Sequence, residues 1–155
     1  MKFKVLSVVF MIAMAASAYA QDAAAVTDEE LKKYAVAMDS INELQAELNG
    51  TIKTMVTSNP AVSATRYNEL FKIINDEGKL LDANATTDEI NFVKQVIAKR
   101  EEGTAKIKQT YQSLAKDYVG ATAFNKVKKA LTSDETLKTK YQGLMDELAK
   151  DNVVN

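Results

Sequence analysis

The chain has 155 residues and a formal net charge of −1, with 46% hydrophobic and 26% charged residues, one proline, five glycines, no cysteine and no histidine. This composition is ordinary for a soluble α-helical protein, and the length fits one domain or a signal segment plus one domain. Without cysteine and histidine, the chain cannot form disulfides, iron–sulfur clusters, the usual zinc and haem sites, or serine–histidine and cysteine–histidine catalytic pairs. We therefore expect no cofactor and no metal.

The first twenty residues have the three parts of a secretory signal peptide. Lys2 and Lys4 give a positive start, residues 5–16 are almost wholly apolar, and Ala18 and Ala20 place small side chains before Gln21. The apolar run is too short to span a bilayer. The sequence predicts cleavage after Ala20, export to the periplasm or beyond it, and no transmembrane span in the mature chain.

The mature chain is predicted to open with a short tether over residues 21–26 and then a long helix. Thr27 and Glu30 form a capping box, because a threonine N-cap and a glutamate three residues later satisfy each other's backbone amides. A heptad-like apolar seam follows, which predicts one helix from about 28 to 57, ended by Asn59-Pro60. The seam consists of Leu31, Tyr34, Met38, Ile41, Leu48, Ile52 and Met55, with Gln45 as its polar exception.

Three further helices are predicted. The second covers about 67–81 and is interrupted at 75–78. The third begins at a second capping box, Thr86–Glu89, and continues to Gly120, a natural stop. The fourth begins near Phe124 and contains a cap-like segment at 132–135. The sequence thus predicts an all-α helical domain over 27–152, built as a four-helix up-down bundle or as two stacked helical hairpins.

Two segments of the chain resemble each other. Residues 64–70 match residues 121–127, and the two capping boxes, at Thr27 and Thr86, are separated by nearly the same length of chain. Either the chain contains a duplication, or helical heptads imitate one another. The match aligns Tyr67-Asn68 with Phe124-Asn125, for which we expect a ring in the core and an amide that caps a neighbouring turn. The alternative is a role of these pairs in ligand recognition.

Four polar residues are predicted to form a layer inside the bundle. Gln45 and Thr104 each lie fourteen residues after an equivalent apolar position near a helix start, so parallel first and third helices would place them at one level. Asp134 would then face Thr104, and Arg100 would lie one turn away. The layer is interpreted as a capped kink whose polar groups satisfy one another. The functional alternative is a small polar pocket or a hinge.

Three short motifs carry a resemblance to a known family. They are the helix start Thr27–Leu31, the aromatic-Asn-x-aliphatic turn Phe124–Val127, and Asp134–Leu137. Through them the chain resembles an uncharacterised family of exported bacterial helical proteins, a domain of unknown function, over about residues 27–150. The resemblance implies an exported helical fold and no particular reaction or ligand.

The distribution of charge favours a binding or structural module of the bacterial cell envelope. Residues 94–140 contain 11 Lys and Arg against 5 Asp and Glu, a net +6, which is either a solvated face or a patch for an anionic envelope component or partner protein. Nucleic acid is not expected as a partner, and homo-oligomerisation stays open. The alternative is a small exported enzyme of the chorismate mutase type. Such a site requires several arginines, and only Arg66 and Arg100 are present.

Overall fold

The computed structural model describes residues 25–151, and within them every regular element is a helix. The predicted signal peptide and residues 21–24 of the predicted tether lie outside the described residues. The all-α class is therefore as the sequence predicts. The helices are α1 Asp28–Thr57, α2 Ala64–Ile73, α3 Glu77–Asp82, α4 Thr87–Ser113 with a π-helical extension Leu114–Tyr118, α5 Ala121–Ala130 and α6 Glu135–Asp151.

Side-chain caps fix where these helices begin. The Thr27 hydroxyl accepts a hydrogen bond from the Glu30 amide at 3.2 Å, and the Thr27 amide donates to Glu30 Oε2 at 2.8 Å, so the first capping box is formed. Thr86 and Glu89 form the second in the same way. The predicted second and fourth helices are each divided in two, because a new N-cap begins a separate helix. Asp76 is the N-cap of α3, and the Asp134 carboxylate caps the start of α6.

The two long helices, α1 and α4, run antiparallel. The C-terminal part of α1, Leu48–Val56, packs in one cluster with the start of α4, Ile90–Ile97. The N-terminal part of α1 packs in a second cluster with Tyr111–Val119 at the other end of α4. The predicted parallel arrangement is therefore wrong. The short helices α2 and α3 fold back at the end of α1, so α4 starts where α1 stops and returns along it.

The apolar core consists of two clusters at opposite ends of the α1–α4 pair. The buried members of the first cluster are Ile52, Val56, Val62, Tyr67, Leu70, Leu80, Val93 and Val96. The buried members of the second cluster are Leu31, Tyr34, Ala37, Val119, Phe124, Val127 and Leu137. Each short hairpin, α2–α3 or α5–α6, covers one end, and the middle of α1 and α4 is left with fewer neighbours.

The two clusters are built from corresponding positions of two repeats, α1–α3 and α4–α6. In the hairpins one constant offset along the chain relates Val62 to Val119, Tyr67 to Phe124, Leu70 to Val127 and Leu80 to Leu137. In the long helices a slightly larger constant offset relates Leu31 to Ile90, Tyr34 to Val93 and Ala37 to Val96. Because α1 and α4 are antiparallel, this correspondence relates the repeats by an approximate twofold axis between the two helices. The sequence similarity between the two segments thus has a structural counterpart.

Two glycines in the long helices have opposite surroundings. A Cβ added at Gly103 would collide with the end of the Leu48 side chain, whereas one added at Gly50 would meet no atom within 4 Å. We expect Gly50→Ala to raise the free energy of unfolding by about 0.5–1 kcal/mol, because alanine is the better helix former. Gly103→Ala should not raise the free energy of unfolding in this way, because the Leu48 side chain must move to make room for the added carbon.

Urea unfolding followed by circular dichroism measures both changes. Gly143→Ala, a third helical site with no atom near the added carbon, is the matched control and should behave like Gly50→Ala. Equal stabilisation by all three substitutions would show that α1 and α4 do not pack closely at Leu48 and Gly103.

Candidate functional site

The four residues of the predicted polar layer do not form one. Gln45, Arg100, Thr104 and Asp134 are all exposed, and the buried residues of the described chain are all aliphatic, phenylalanine or tyrosine. Gln45 and Thr104 lie at equivalent positions on the apolar seams of the two repeats, but in the middle of the helix pair, where neither hairpin covers them. Asp134 lies at the start of α6, where it caps the Leu137 amide at 2.9 Å.

The two aromatic-asparagine pairs separate into a buried and an exposed half. The Tyr67 and Phe124 rings are buried in the first and second cluster, as the core interpretation expects. The Phe124 ring centroid lies 4.8 Å from that of Tyr34. Asn68 and Asn125 are exposed, and no hydrogen bond from their side chains to another described residue is found, so the expected capping by these amides is not seen.

Each capping box is held by a cation from the first helix of the adjacent hairpin. Arg66 of α2 donates from Nε to Glu89 Oε1 at 2.8 Å and from Nη2 to Glu89 Oε2 at 3.1 Å. Its Nη2 also donates to the Ala83 carbonyl at 3.0 Å. The guanidinium thus ties α2, the end of α3 and the start of α4 together, and with the Thr86 amide it lowers the pKa of the Glu89 carboxyl to about 2.

Lys126 of α5 does the same for the first capping box. Its ammonium lies 2.6 Å from Glu30 Oε2 and donates to the Ala25 carbonyl at 3.5 Å. The Lys126 ammonium and the Thr27 amide hold the pKa of the Glu30 carboxyl below its ordinary value. Neither ion pair is predictable from the sequence alone. The capping boxes were visible in the sequence, but the cation that reaches each glutamate comes from a helix placed there by tertiary packing.

The depressed pKa of Glu89 predicts acid sensitivity. Its carboxyl has an ordinary pKa of 4.5 and a folded pKa of about 2. The folded state therefore favours the ionised form, and the stabilisation is complete above about pH 4.5 and is lost as the pH falls towards 2. Glu89→Gln should destabilise the protein at pH 7, and the difference from wild type should shrink through this range.

Urea unfolding at a series of pH values tests this dependence. The difference between wild type and variant isolates Glu89 from Glu29, Glu30 and Asp76, whose pKa values are also lowered. Glu69→Gln is the matched control, because Glu69 contacts the same arginine at 3.6 Å from an exposed position. A stability difference for Glu89→Gln that is constant with pH would contradict the prediction.

A large concave site lies at the α5–α6 end of the molecule. We call it the α5–α6 groove; its volume is about 790 Å³. Its floor is mostly apolar and its rim carries three lysines. The floor includes Val26, Ala130 and Leu137, and the rim includes Lys126, Lys129 and Lys140.

The two repeats differ in size at one residue of the groove lining. Ala130 occupies the position that Ile73 occupies in the first repeat. Ile73 packs against the first cluster with a side chain three carbons larger than that of Ala130, which packs against the second. The smaller residue leaves room between α5, the start of α6 and the segment before α1, and Ala25 and Val26 complete the wall.

Two of the three lysines at the rim of the α5–α6 groove have an acidic partner. Lys126 is paired with Glu30, and Lys140 lies 3.2 Å from Asp28 Oδ1. Lys129 forms no ion pair with any described residue. Asp134 also lines the groove, where its Oδ1 accepts a hydrogen bond from the Leu137 amide. Lys129 is therefore the lysine of the lining that has no acidic partner among the described residues. The groove therefore combines an apolar floor with a cation at its edge.

Among the described residues, Arg66 and Arg100 do not lie in one common site, and no group of side chains is placed to hold a metal ion. Arg66 is engaged by Glu89, and Arg100 lies eleven residues beyond Glu89 on α4, about 16 Å along the helix axis. Between residues 25 and 151 there is also no group of three or more acidic, histidine or cysteine side chains placed to hold a metal ion. None of the helices in this range is long and apolar enough to cross a membrane.

Comparisons with protein-family models, with curated proteins and with solved structures found no match to this chain. The resemblance to an uncharacterised exported helical family therefore stays a prediction.

Proposed function

We propose that the protein is an exported binding module of the bacterial cell envelope, and that the α5–α6 groove is its binding site. The observation that carries this proposal is the groove itself, an apolar concavity of about 790 Å³ with lysines on its rim. Its size lies within the range of small-molecule sites in proteins. Its lining has no paired nucleophile and base, so binding is the chemistry that these residues support best.

The ligand that fits the groove is an anionic amphiphile. Ala130, Leu137 and Val26 offer aliphatic surface, which favours an apolar chain because its burial removes hydrocarbon from water. The Lys129 ammonium at the rim favours a carboxylate or phosphate at the end of that chain, while the lysine stem contributes further apolar contact. The positive charge of residues 94–140 also favours an anionic ligand.

Titration with octanoate, below its micellar concentration, tests the site by nuclear magnetic resonance. We expect amide shifts concentrated at Ala130, Lys129 and Leu137, and weaker shifts with uncharged octanol. Lys129→Glu should weaken octanoate binding by at least about fivefold, which corresponds to about 1 kcal/mol. Lys128→Glu is the matched control, because Lys128 is the exposed neighbour outside the groove lining and should leave the affinity within about twofold.

Shifts spread over other surfaces, or equal losses in both lysine variants, would refute the groove as the binding site. Equal binding of octanol and octanoate would show that the rim charge has no role.

Export is tested separately. The signal-like start predicts that the protein recovered from the periplasm or medium begins at Gln21. N-terminal sequencing or intact mass spectrometry reads this directly. As a control, replacing Ala18 and Ala20 by bulky residues should block cleavage and leave the precursor. A mature protein that keeps residues 1–20 would contradict the assignment.

A further inference from the structure

The two ion pairs at the rim of the α5–α6 groove differ in how firmly they hold their lysines. The Lys126 ammonium lies 2.6 Å from Glu30 Oε2, and the two side chains are only 23% and 25% exposed. The Lys140 ammonium lies 3.2 Å from Asp28 Oδ1, and these side chains are 57% and 89% exposed. Water competes for both members of the second pair, and exposed ion pairs of this kind contribute little to stability. Lys140 can therefore leave its partner easily, whereas Lys126 is held in place.

Asp28 is the acid beside the groove that can give up its lysine. Its side chain has no ion pair or hydrogen bond to a described residue other than the contact with Lys140. Its carboxylate already lies in water, so losing the lysine leaves no buried charge. Asp134, the acid of the lining, instead accepts a hydrogen bond from the Leu137 amide and stays beside the α6 backbone. Opening the Asp28–Lys140 pair thus adds a second available lysine to Lys129.

These available donors match one kind of anionic head group better than another. Lys129 and Lys140 both line the groove, and so do three hydroxyl side chains that can donate further hydrogen bonds, Thr122, Ser133 and Thr136. A carboxylate offers one charge and two oxygens. A phosphate monoester offers nearly two charges above its second pKa of about 6, and three acceptor oxygens. Two lysines and several hydroxyls therefore favour the phosphate monoester.

We infer that the α5–α6 groove selects an amphiphile with a phosphate monoester head group, and that Lys140 exchanges its ion pair with Asp28 for one with that phosphate. The inference rests on the function proposed for the groove, and it adds the charge of the head group and the residue that recognises it. Lys129 supplies the first ion pair and Lys140 the second, while the alkyl chain lies on the apolar floor. A ligand with one negative charge pairs with Lys129 alone and leaves the Asp28–Lys140 pair closed.

Octyl phosphate and octyl sulfate are the probes, because they have the same chain and a tetrahedral head group but differ by about one negative charge at pH 8. Each is titrated into the isotope-labelled protein below its micellar concentration, and the amide shifts at Lys129, Ala130 and Lys140 give the affinity. Octyl phosphate should bind at least about fivefold more tightly than octyl sulfate. Inorganic phosphate, which has the charge without the chain, should bind at least about tenfold more weakly than octyl phosphate.

Two pairs of variants test the exchange of partners. Lys140→Gln should bring the affinities for octyl phosphate and octyl sulfate within about twofold of each other. Lys138→Gln is the matched control, because Lys138 is on α6 outside the groove lining, and it should keep the preference for octyl phosphate. Asp28→Asn releases Lys140 and should strengthen octyl phosphate binding by at least about threefold. Glu29→Gln removes the same charge from a residue paired with Lys33, and it should change the affinity by less than about twofold.

The possible failures separate this inference from the proposed function. If octanoate shifts the groove amides but octyl phosphate and octyl sulfate bind equally, the groove is a binding site and the inference is wrong. Equal effects of Lys140→Gln and Lys138→Gln, or of Asp28→Asn and Glu29→Gln, would also overturn it, because the charge would then act without an exchange at Lys140. Inorganic phosphate that binds as tightly as octyl phosphate would exclude an amphiphile. Absence of groove shifts with octanoate and octyl phosphate alike would refute the inference together with the proposed function.

Discussion

Replacing Leu31 by alanine is expected to lower the free energy of unfolding by about 2–5 kcal/mol. Leu31 is 1% exposed at the centre of the second cluster, where it packs with residues of α5 and α6. Removing its branched end leaves a cavity that the surrounding helices fill only in part. Urea unfolding followed by circular dichroism gives the difference. Leu144 and Ile97 are only half-buried, so the same replacement should cost less there.

The chain offers a matched control for this substitution. Leu81 is also a helical leucine but is 79% exposed, so Leu81→Ala should change stability by no more than about 0.5 kcal/mol. Equal effects of Leu31→Ala and Leu81→Ala would contradict the packing of the second cluster.

Leu31→Ala also tests whether the two clusters unfold together. They share α1 and α4 but are separated by a middle stretch in which Gln45 and Thr104 are exposed. Hydrogen exchange should therefore show a larger loss of protection at Phe124 and Val127, in the second cluster, than at Leu70 in the first. Equal loss at both ends would indicate a single cooperative unit.

The helix starts were predictable because their signals are local. A capping box involves residues three positions apart, so Thr27 and Thr86 could be assigned without knowledge of the fold. The all-α class followed from the period of the apolar residues for the same reason. The direction of α4 was not predictable in this way. It depends on the short lengths of α2 and α3, which are set by the N-cap at Asp76 inside what was predicted as one helix.

The error over the polar layer has a physical reason. A polar residue on an apolar seam either faces polar groups inside the core or lies where nothing covers the seam. Periodicity does not distinguish these cases, because it shows which side of a helix is apolar and not what lies against it. Gln45 and Thr104 mark the uncovered middle of the long helices. Their positions in the two repeats are equivalent, as the spacing indicates, but what lies beside them follows only from the antiparallel arrangement.

The α5–α6 groove could not be predicted from the sequence. Its lining joins Ala130, where the first repeat has Ile73, to Ala25 and Val26, which are distant from it along the chain. Only its lysines had a visible signal, as part of the positive charge of residues 94–140. A charged segment identifies a region of the chain, whereas a concave site requires the tertiary packing.

Removal of the Tyr67 hydroxyl is expected to raise the free energy of unfolding, whereas Leu31→Ala is expected to lower it. Tyr67 Oη is buried and has no hydrogen-bond partner among the described residues. A buried hydroxyl without a partner loses its hydrogen bonds to water on folding, which costs about 1–3 kcal/mol. Tyr67→Phe should therefore raise the free energy of unfolding by up to that amount. The second repeat supports this expectation, because Phe124 occupies the equivalent position without a hydroxyl.

Tyr118→Phe is the matched control for the loss of a hydroxyl. Tyr118 is 45% exposed, so its hydroxyl keeps its contact with water in both states and the change should stay within about 0.5 kcal/mol. Urea unfolding of the two variants shows whether a change in stability comes from removing a buried hydroxyl or from removing any tyrosine hydroxyl. A loss of stability in Tyr67→Phe would mean that a bound water satisfies Tyr67 Oη, since a satisfied buried hydroxyl stabilises the fold and an unsatisfied one does not. The first cluster would then hold a polar contact that the second lacks, and the equivalence of Tyr67 and Phe124 would extend to their rings alone.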